Sequence, residues 1–302
     1  MDLKEQLDQY QIGGIGDIKR KTLRFHSYRT GTEGGKLTLY AFYDPENPPK
    51  LFSGYPSGQD LLVELCNLYL TLSGKRTEEQ ARIIEHWCLS NVHPYYRYGD
   101  AVRQAKFETD KDVFWDMVVN VIETFYIHIE DMFSDLQKLY IDAMTVFTFR
   151  SLMEGYEYEA KRFYDNIRPA PSKDLISEWK DTQPEQRPRI VDRIMNSLPK
   201  FTMGLQRDEE TGSIVFLPEV ASVFDAAYYG LFRFVAVNSG ALDDWGGKTS
   251  IAFCAACGEA FIKRGNRQKY CNNPQCQSVR NQRKSKDYYY RERQKEIDEM
   301  LS

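Results

Sequence analysis

Four cysteines near the C-terminus carry the clearest chemistry in this sequence: Cys254-Ala-Ala-Cys257 and Cys271-Asn-Asn-Pro-Gln-Cys276, with thirteen residues between the pairs. Two close cysteine pairs held apart by a short hairpin can set four thiolates tetrahedrally around one zinc ion. Four sulfur ligands close the coordination sphere and leave no place for a reacting water, so the expected zinc is structural and not catalytic. Gly258 helps the backbone turn over the first pair, and Phe261 and Tyr270 are expected to cover one side of the site. Residues 259–270 fit two short strands around a Gly265-Asn266 turn. Pro274 is expected to forbid a helix just before Cys276. Beyond Cys276 there is no Gly or Pro, so a long helix follows, and its N-terminal N–H groups favour the nearby thiolates. Knuckle, hairpin and second knuckle at a helix start make a treble-clef arrangement.

The surface of this module is basic. Lys263, Arg264, Arg267, Lys269, Arg280, Arg283, Lys284 and Lys286 fall in a window that holds no acidic residue. Residues 251–302 contain 11 Lys+Arg and 6 Asp+Glu, a net of +5, and the remainder holds 29 basic and 38 acidic residues, a net of −9. A basic tail on an acidic body points to a polyanion partner for the tail. On a helix, Arg280, Arg283, Lys284 and Arg291 share one side, with Asp287 among them, while Arg264 and Arg267 sit at the hairpin tip. Tyr288-Tyr-Tyr290 adds aromatic surface. Such patches supply salt-dependent, sequence-independent affinity for phosphates. A solvated basic helix that balances or packs on the acidic body is the plainer alternative.

Other constellations are weaker. His128-Ile-Glu130 has the H-x-E spacing of zinc deaminases but lacks the Pro-Cys-x-x-Cys that must follow. His86, Cys88 and His93 lie close in sequence without an evident fourth ligand, and His86 reads as an interfacial helix residue. Cys66 and Cys88 read as buried thiols. Glu123, Glu130 and Asp131 read as the wet face of a helix, and the Arg20/His26 pair falls in an expected strand. A nucleophile elbow, a P-loop and a dinucleotide-binding glycine fingerprint are absent.

The elements that must position these groups follow from periodicity. Residues 1–50 look β-rich: residues 22–28 and 36–43 read as a hairpin across Gly31-Thr-Glu-Gly-Gly, closed by a Pro-rich loop at 44–49. From Ser57 the period turns helical, with Leu61, Leu62, Leu65, Leu68 and Tyr69 on one face. A second helix starts at Thr77-Glu-Glu-Gln, a capping-box-like signal, and runs to about Ser90. Residues 110–155 read as one or two buried helices with Phe114, Trp115, Val118, Val121 and Ile122 in the core. Further helices are expected at 156–166, 173–180, 188–197 and 218–238, the last with Val223, Phe224, Ala227, Leu231 and Phe234 inward. Residues 239–248 are the natural linker.

Cys257-Gly-Glu-Ala-Phe261, Arg267-Gln-Lys-Tyr-Cys271 and Cys276 followed by Arg280-Asn-Gln-Arg283 resemble the C-terminal zinc finger of CGNR-type bacterial proteins. The resemblance covers residues 251–302, and reaches back to Leu217-Pro218 if the preceding helix is counted. It implies a treble-clef finger behind a helical region, and a DNA-binding, transcription-regulating role. The sequence departs from that pattern where Gln277-Ser-Val-Arg280, not Gly-Asn-Arg, follows the last cysteine.

The expected architecture is mostly α with a small N-terminal β element. A helical body, residues 1–242 with a β-hairpin within 1–50, precedes a four-cysteine treble-clef zinc finger and basic helix at 251–302. The expected function is zinc-dependent nucleic-acid binding, DNA in preference to RNA, through Lys263, Arg264, Arg267, Lys269, Arg280, Arg283, Lys284 and Arg291. The alternatives are an interaction protein whose finger is a folding staple that docks an acidic partner, with self-association through the body, and a nuclease with its site in the body. The polar start of the chain and the lack of a bilayer-spanning apolar run lead to an expected cytoplasmic location without a membrane partner.

Overall fold

The fold is that of a computed structural model, which describes residues 12–15, 21–53, 58–95, 125–167, 174–207, 214–218, 220–238, 250–263 and 268–301. Its elements run β1 (Ile12–Ile15), β2 (Lys21–Arg24), β3 (Tyr28–Glu33), β4 (Lys36–Ala41), β5 (Lys50–Ser53), α1 (Gly58–Leu72) and α2 (Thr77–Ser90). Then come β6 (Tyr126–His128), α3 (Ile129–Met153), α4 (Glu157–Tyr164), α5 (Leu175–Asp181), a 3-10 turn (Pro184–Gln186) and α6 (Arg187–Ser197). The chain continues through β7 (Met203–Arg207), β8 (Ile214–Pro218), α7 (Val223–Asn238), β9 (Ser250–Phe253), β10 (Ala260–Lys263) and α8 (Pro274–Leu301). It is mostly helical, with a small β element at the N-terminus and a four-cysteine cluster followed by a helix at the C-terminus. It divides into two units, Met1–Arg233 and Phe234–Ser302.

The N-terminal hairpin forms, but with different partners from those expected. β3 pairs with β4 across Gly34-Gly35, whose φ values of 56° and 81° suit a tight turn that only glycine enters without strain. The run expected as one strand over residues 22–28 is broken at Phe25-His26-Ser27, and its first half, β2, pairs with β5 beyond the Pro-rich loop. His26 lies in that break and not in a strand. β4 pairs on its other edge with β6, placing Thr38 opposite His128. β6 falls inside the stretch expected to be helical. Its three residues merge in sequence with the apolar helix that follows, and its pairing partner is remote in the chain. β7 and β8 form a further antiparallel pair, with β1 parallel to β8. Up to Leu217, β7 and β8 occupy residues for which no element is expected, and the helix expected from residue 218 begins at Val223.

The helices follow their periodicity. Leu61, Leu62, Leu65, Leu68 and Tyr69 are all buried on α1. α3 buries Met132, Leu136, Leu139, Tyr140, Ala143 and Met144 along an apolar stripe, which widens towards its C-terminal end, where Val146, Phe147, Thr148 and Phe149 are all buried. α3 packs against both α1 and α4. On α7, Val223, Phe224, Ala227 and Leu231 are buried as expected. The helix at Thr77 begins one residue earlier in role than its signal implied: Arg76 is the N-cap, without a side-chain cap, so Thr77 is already helical. Gln80 turns instead to the preceding helix and donates to the Leu72 carbonyl at 3.3 Å. The expected core residues Phe114, Trp115, Val118, Val121 and Ile122, and the linker at 239–248, lie outside the described residues, as does the side chain of Phe234.

Two tyrosine–carboxylate pairs fix the polar side of α3. Tyr95 donates to Asp135 Oδ2 at 2.7 Å, and Tyr228 of α7 donates to Asp142 Oδ2 at 2.6 Å. Burial pushes the Asp142 carboxyl above the usual range, against the opposing effects of the Tyr228 phenol and Lys138. No helix among the described residues is long and apolar enough to cross a membrane.

Candidate metal centre

The first cysteine pair sits on a hairpin turn. β9 and β10 pair antiparallel, Phe253 opposite Ala260, and residues 254–259 connect them. The hairpin therefore flanks the first knuckle; it does not lie between the two knuckles as residues 259–270 suggested. Cys254 N–H donates to the Glu259 carbonyl at 2.8 Å and Gly258 N–H to the Cys254 carbonyl at 3.0 Å. Gly258 has φ +79°, a conformation that a side chain would strain, so the glycine after Cys257 is needed for the turn. Ala255 N–H reaches the Lys269 carbonyl at 2.8 Å and ties this turn to the approach of the second pair.

The second pair opens α8. Asn273 Oδ1 accepts from Gln275 N–H at 2.9 Å, which makes Asn273 the cap, and Pro274 occupies the first helical position. A proline there has no N–H to leave unpaired and its fixed φ suits a helix start, so Pro274 begins the helix and does not bar it. Cys276 thus lies in the first turn, where unsatisfied N–H groups favour a thiolate.

The four ligands converge. Every sulfur of Cys254, Cys257, Cys271 and Cys276 lies within 4.8 Å of the others, and Cys257 Sγ is 3.9 Å from Cys271 Sγ. Four sulfurs at bonds of about 2.3 Å around a tetrahedral ion stand about 3.8 Å apart, so the set fits one such ion with little adjustment. Cys254, Cys271 and Cys276 are buried, and Cys257 is exposed. Ala252, Phe261 and Tyr270 pack around the cluster, which bears out the covering role read for Phe261 and Tyr270.

Backbone N–H groups are aimed at the sulfurs. Cys254 Sγ accepts from Cys271 N–H at 3.4 Å and from Ala256 N–H at 3.5 Å. Burial alone would oppose ionisation of Cys254, but backbone donors from Cys257, Cys271 and Ala256 outweigh it and bring its thiol down to about 7. The Cys257 thiol, pushed up first by burial, donates to Glu259 Oε2 at 3.5 Å. The N–H donors aimed at Cys254 suit a thiolate at that position. Among the described residues no other set of three or more His, Cys, Asp or Glu side chains converges in this way.

Gln277 was missed in the sequence. It takes the place of the glycine that the resembling fingers have after their last cysteine. Its Nε2 donates to the Cys271 carbonyl at 2.6 Å, and its Oε1 accepts from Arg280 Nη1 at 2.9 Å. One side chain thus locks the helix start to the second knuckle and orients the first arginine of the helix. The Asn-Pro pair at 273–274 was a readable cap signal for the same start. Glu259 carried no comparable signal.

The basic residues divide into those placed and those not. Arg280, Arg283, Lys284 and Arg291 are exposed along α8, Lys269 is exposed beside the second pair, and Lys263 ends β10 half-buried. Arg283 donates from Nη1 to the Tyr270 phenol at 3.2 Å. Arg264 and Arg267 lie outside the described residues.

The weaker candidates do not assemble. His128 Nδ1 pairs with Thr38 Oγ1 at 2.8 Å inside the sheet, while Glu130 lies exposed at the start of α3. His93 is buried with Nδ1 3.1 Å from the Tyr28 phenol, Cys88 is buried, and His86 is exposed, not interfacial. Burial raises the Cys66 thiol to about 12 and raises Cys88 further, as expected of inert core cysteines. Asp131 is exposed and paired with Lys36, whereas Arg20 and Glu123 lie outside the described residues. Comparisons with protein-family models, curated proteins and solved structures find no match for this chain.

Proposed function

We propose that the C-terminal unit is a zinc-stapled treble-clef module that binds nucleic acid. The observation that carries this is the joining of one closed four-sulfur cluster to one exposed basic helix. The cluster's last ligand, Cys276, is in the first turn of α8, and Arg280, Arg283 and Lys284 follow within the next turns. The donor set favours zinc: four thiolates at tetrahedral separation, three of them buried, with backbone N–H support, leave no open position for chemistry. A knuckle on a hairpin followed by a cysteine pair that opens a helix is the order of a treble clef.

In this reading zinc is structural. It fixes the geometry of phosphate contacts by Arg280, Arg283, Lys284 and Arg291, joined by Lys263 and Lys269 and by Arg264 and Arg267. Arginine suits this task, since one donor can serve an internal partner while others meet a phosphate. Arg283 and Arg280 each commit one such donor internally, to Tyr270 and Gln277. DNA in preference to RNA, and a part in transcription regulation, are the roles that the finger resemblance favours.

The test is binding of labelled oligonucleotides by the full chain and by a variant carrying Arg280→Glu, Arg283→Glu and Lys284→Glu. Affinity should fall steeply as salt is raised, with a log–log slope of about −3 if four phosphates are met on a single strand. The variant should lose most of that affinity at low salt. No binding at low salt by the zinc-loaded chain, or equal binding by the variant, would refute the proposal.

A further inference from the structure

Three consecutive tyrosines interrupt the charged surface of α8. Tyr288, Tyr289 and Tyr290 are 66%, 60% and 57% exposed, among the most exposed large apolar side chains of the molecule. They lie in a helix whose described side chains from Arg280 to Arg291 are all exposed. Nothing in helix formation asks for them: aromatic residues are middling helix formers and gain nothing from burial here.

Their placement relative to the charges is ordered. Successive helical residues turn by about 100°, so Arg280, Lys284 and Arg291 fall within an arc of about 40°. On the same wheel Tyr288 stands about 60° beyond that arc's centre on one side and Tyr290 about 100° beyond it on the other. Tyr288 therefore borders the cationic stripe on one edge, and on the other Asp287 and Arg283 stand between the stripe and Tyr290. Asp287 lies beside the stripe, a hydrogen-bond acceptor where a base edge could donate. Lys286 Nζ rests 5.8 Å from the Tyr290 ring centre, and the Tyr289 and Tyr290 rings meet edge to face at 6.0 Å, which steadies Tyr290 on the surface.

We infer that this face of α8 takes single-stranded nucleic acid, phosphates on the Arg280–Lys284–Arg291 stripe and bases stacked on Tyr288 and Tyr290. The inference deepens the nucleic-acid reading above and rests on it. The occupant follows from the chemistry. The stripe calls for a polyanion, and the rings call for one whose flat apolar groups are accessible. In a duplex the base faces are covered by their neighbours in the stack, so protein rings find only phosphate and groove edges. A single strand offers unstacked bases, and a basic track with aromatic platforms is how such strands are held without sequence preference. An acidic peptide would meet the charge but leave the rings without a stacking partner.

The experiment uses the full zinc-loaded chain at low salt, with fluorescence anisotropy of labelled oligo(dT), oligo(rU) and a mixed-sequence duplex of equal length. Single strands should bind tighter than the duplex by about ten-fold or more, the size expected for one or two stacked bases. The double variant Tyr288→Ala/Tyr290→Ala should lose at least that factor on single strands and leave duplex affinity unchanged. Tyr288→Phe/Tyr290→Phe should retain it, because the ring and not the phenol is the contact. Circular dichroism of the alanine variant controls for helix loss. Tighter binding of dT assigns DNA as the source, and tighter binding of rU assigns RNA. Duplex binding as tight as single-strand binding, or an alanine variant that binds single strands normally, overturns this inference alone. Failure of all three probes to bind overturns the nucleic-acid reading itself.

Discussion

The backbone N–H of Cys271 donates to Cys254 Sγ at 3.4 Å, so the two cysteine pairs are joined by a hydrogen bond as well as by a shared ligand position. The second knuckle is thereby oriented onto the sulfur of the first. A metal ion bound between them would strengthen a contact that the backbone has already set up. The core around the site is small: Ala252, Phe261 and Tyr270 do most of the covering. A core of that size rarely sustains a fold without a staple.

Metal removal should therefore unfold this unit and spare the helical body. Chelation, or Cys271→Ser or Cys276→Ser, should abolish hydrogen-exchange protection across β9, β10 and the start of α8. Amides of α1 and α3, which sit in their own apolar core, should keep theirs. Exchange mass spectrometry resolves the two regions, and uniform protection after chelation would contradict a folding role for the metal.

Gln277→Ala should weaken the link between α8 and the second knuckle. It deletes the bond to the Cys271 carbonyl and frees Arg280 from its guide. The expected loss is about 1 kcal/mol of stability in the C-terminal unit, with zinc still bound. A competition titration with a zinc chelator should show weaker retention in the variant; unchanged retention would mean that the bond contributes nothing.

The Asp142–Tyr228 pair predicts a pH effect of defined sign. Burial raises the carboxyl of Asp142 in the folded chain above its ordinary 3.8, so the folded state holds that proton more tightly than the unfolded state. The contribution of Asp142 to stability is then greatest below 3.8 and falls as pH rises through the raised value. Asp142→Asn keeps an oxygen to accept from Tyr228 but removes the buried charge. Its melting temperature, measured against the native chain, should rise in relative terms from acid towards neutral pH. A variant that loses ground over that range would show that the charge is stabilising.

Gly155 ends α3 with φ +78°, and its N–H donates to the Leu152 carbonyl at 3.2 Å. No atom stands within 4 Å of where a Cβ would sit, so the cost of Gly155→Ala is purely conformational. It should destabilise the body by about 1–2 kcal/mol, read from denaturant unfolding. A neutral result would mean that the loop relaxes out of the left-handed region.

Much of this was legible in sequence because it is local. The apolar steps from Leu61 to Tyr69, the glycine turn at Gly34-Gly35 and the spacing of the four cysteines each depend on neighbours a few residues away. What escaped depends on distant partners. β6 exists because Thr38 of β4 lies opposite His128, and its own three residues have too short a period to declare themselves. β9 follows the linker read at 239–248, where the sequence signals no strand, and is a strand only by pairing with β10. Pro274 misled for a different reason: its effect reverses between the interior and the first turn of a helix, and Asn273 decides which applies.

Whether zinc at Cys254, Cys257, Cys271 and Cys276 holds a nucleic-acid-binding surface in shape is tested most directly by oligonucleotide affinity at low salt. Affinity is measured for the zinc-loaded chain, after chelation, and after zinc is restored. One zinc per chain, loss of binding on chelation and recovery on reconstitution are the expected results. Binding that persists undiminished once the zinc is gone would contradict a zinc-held surface.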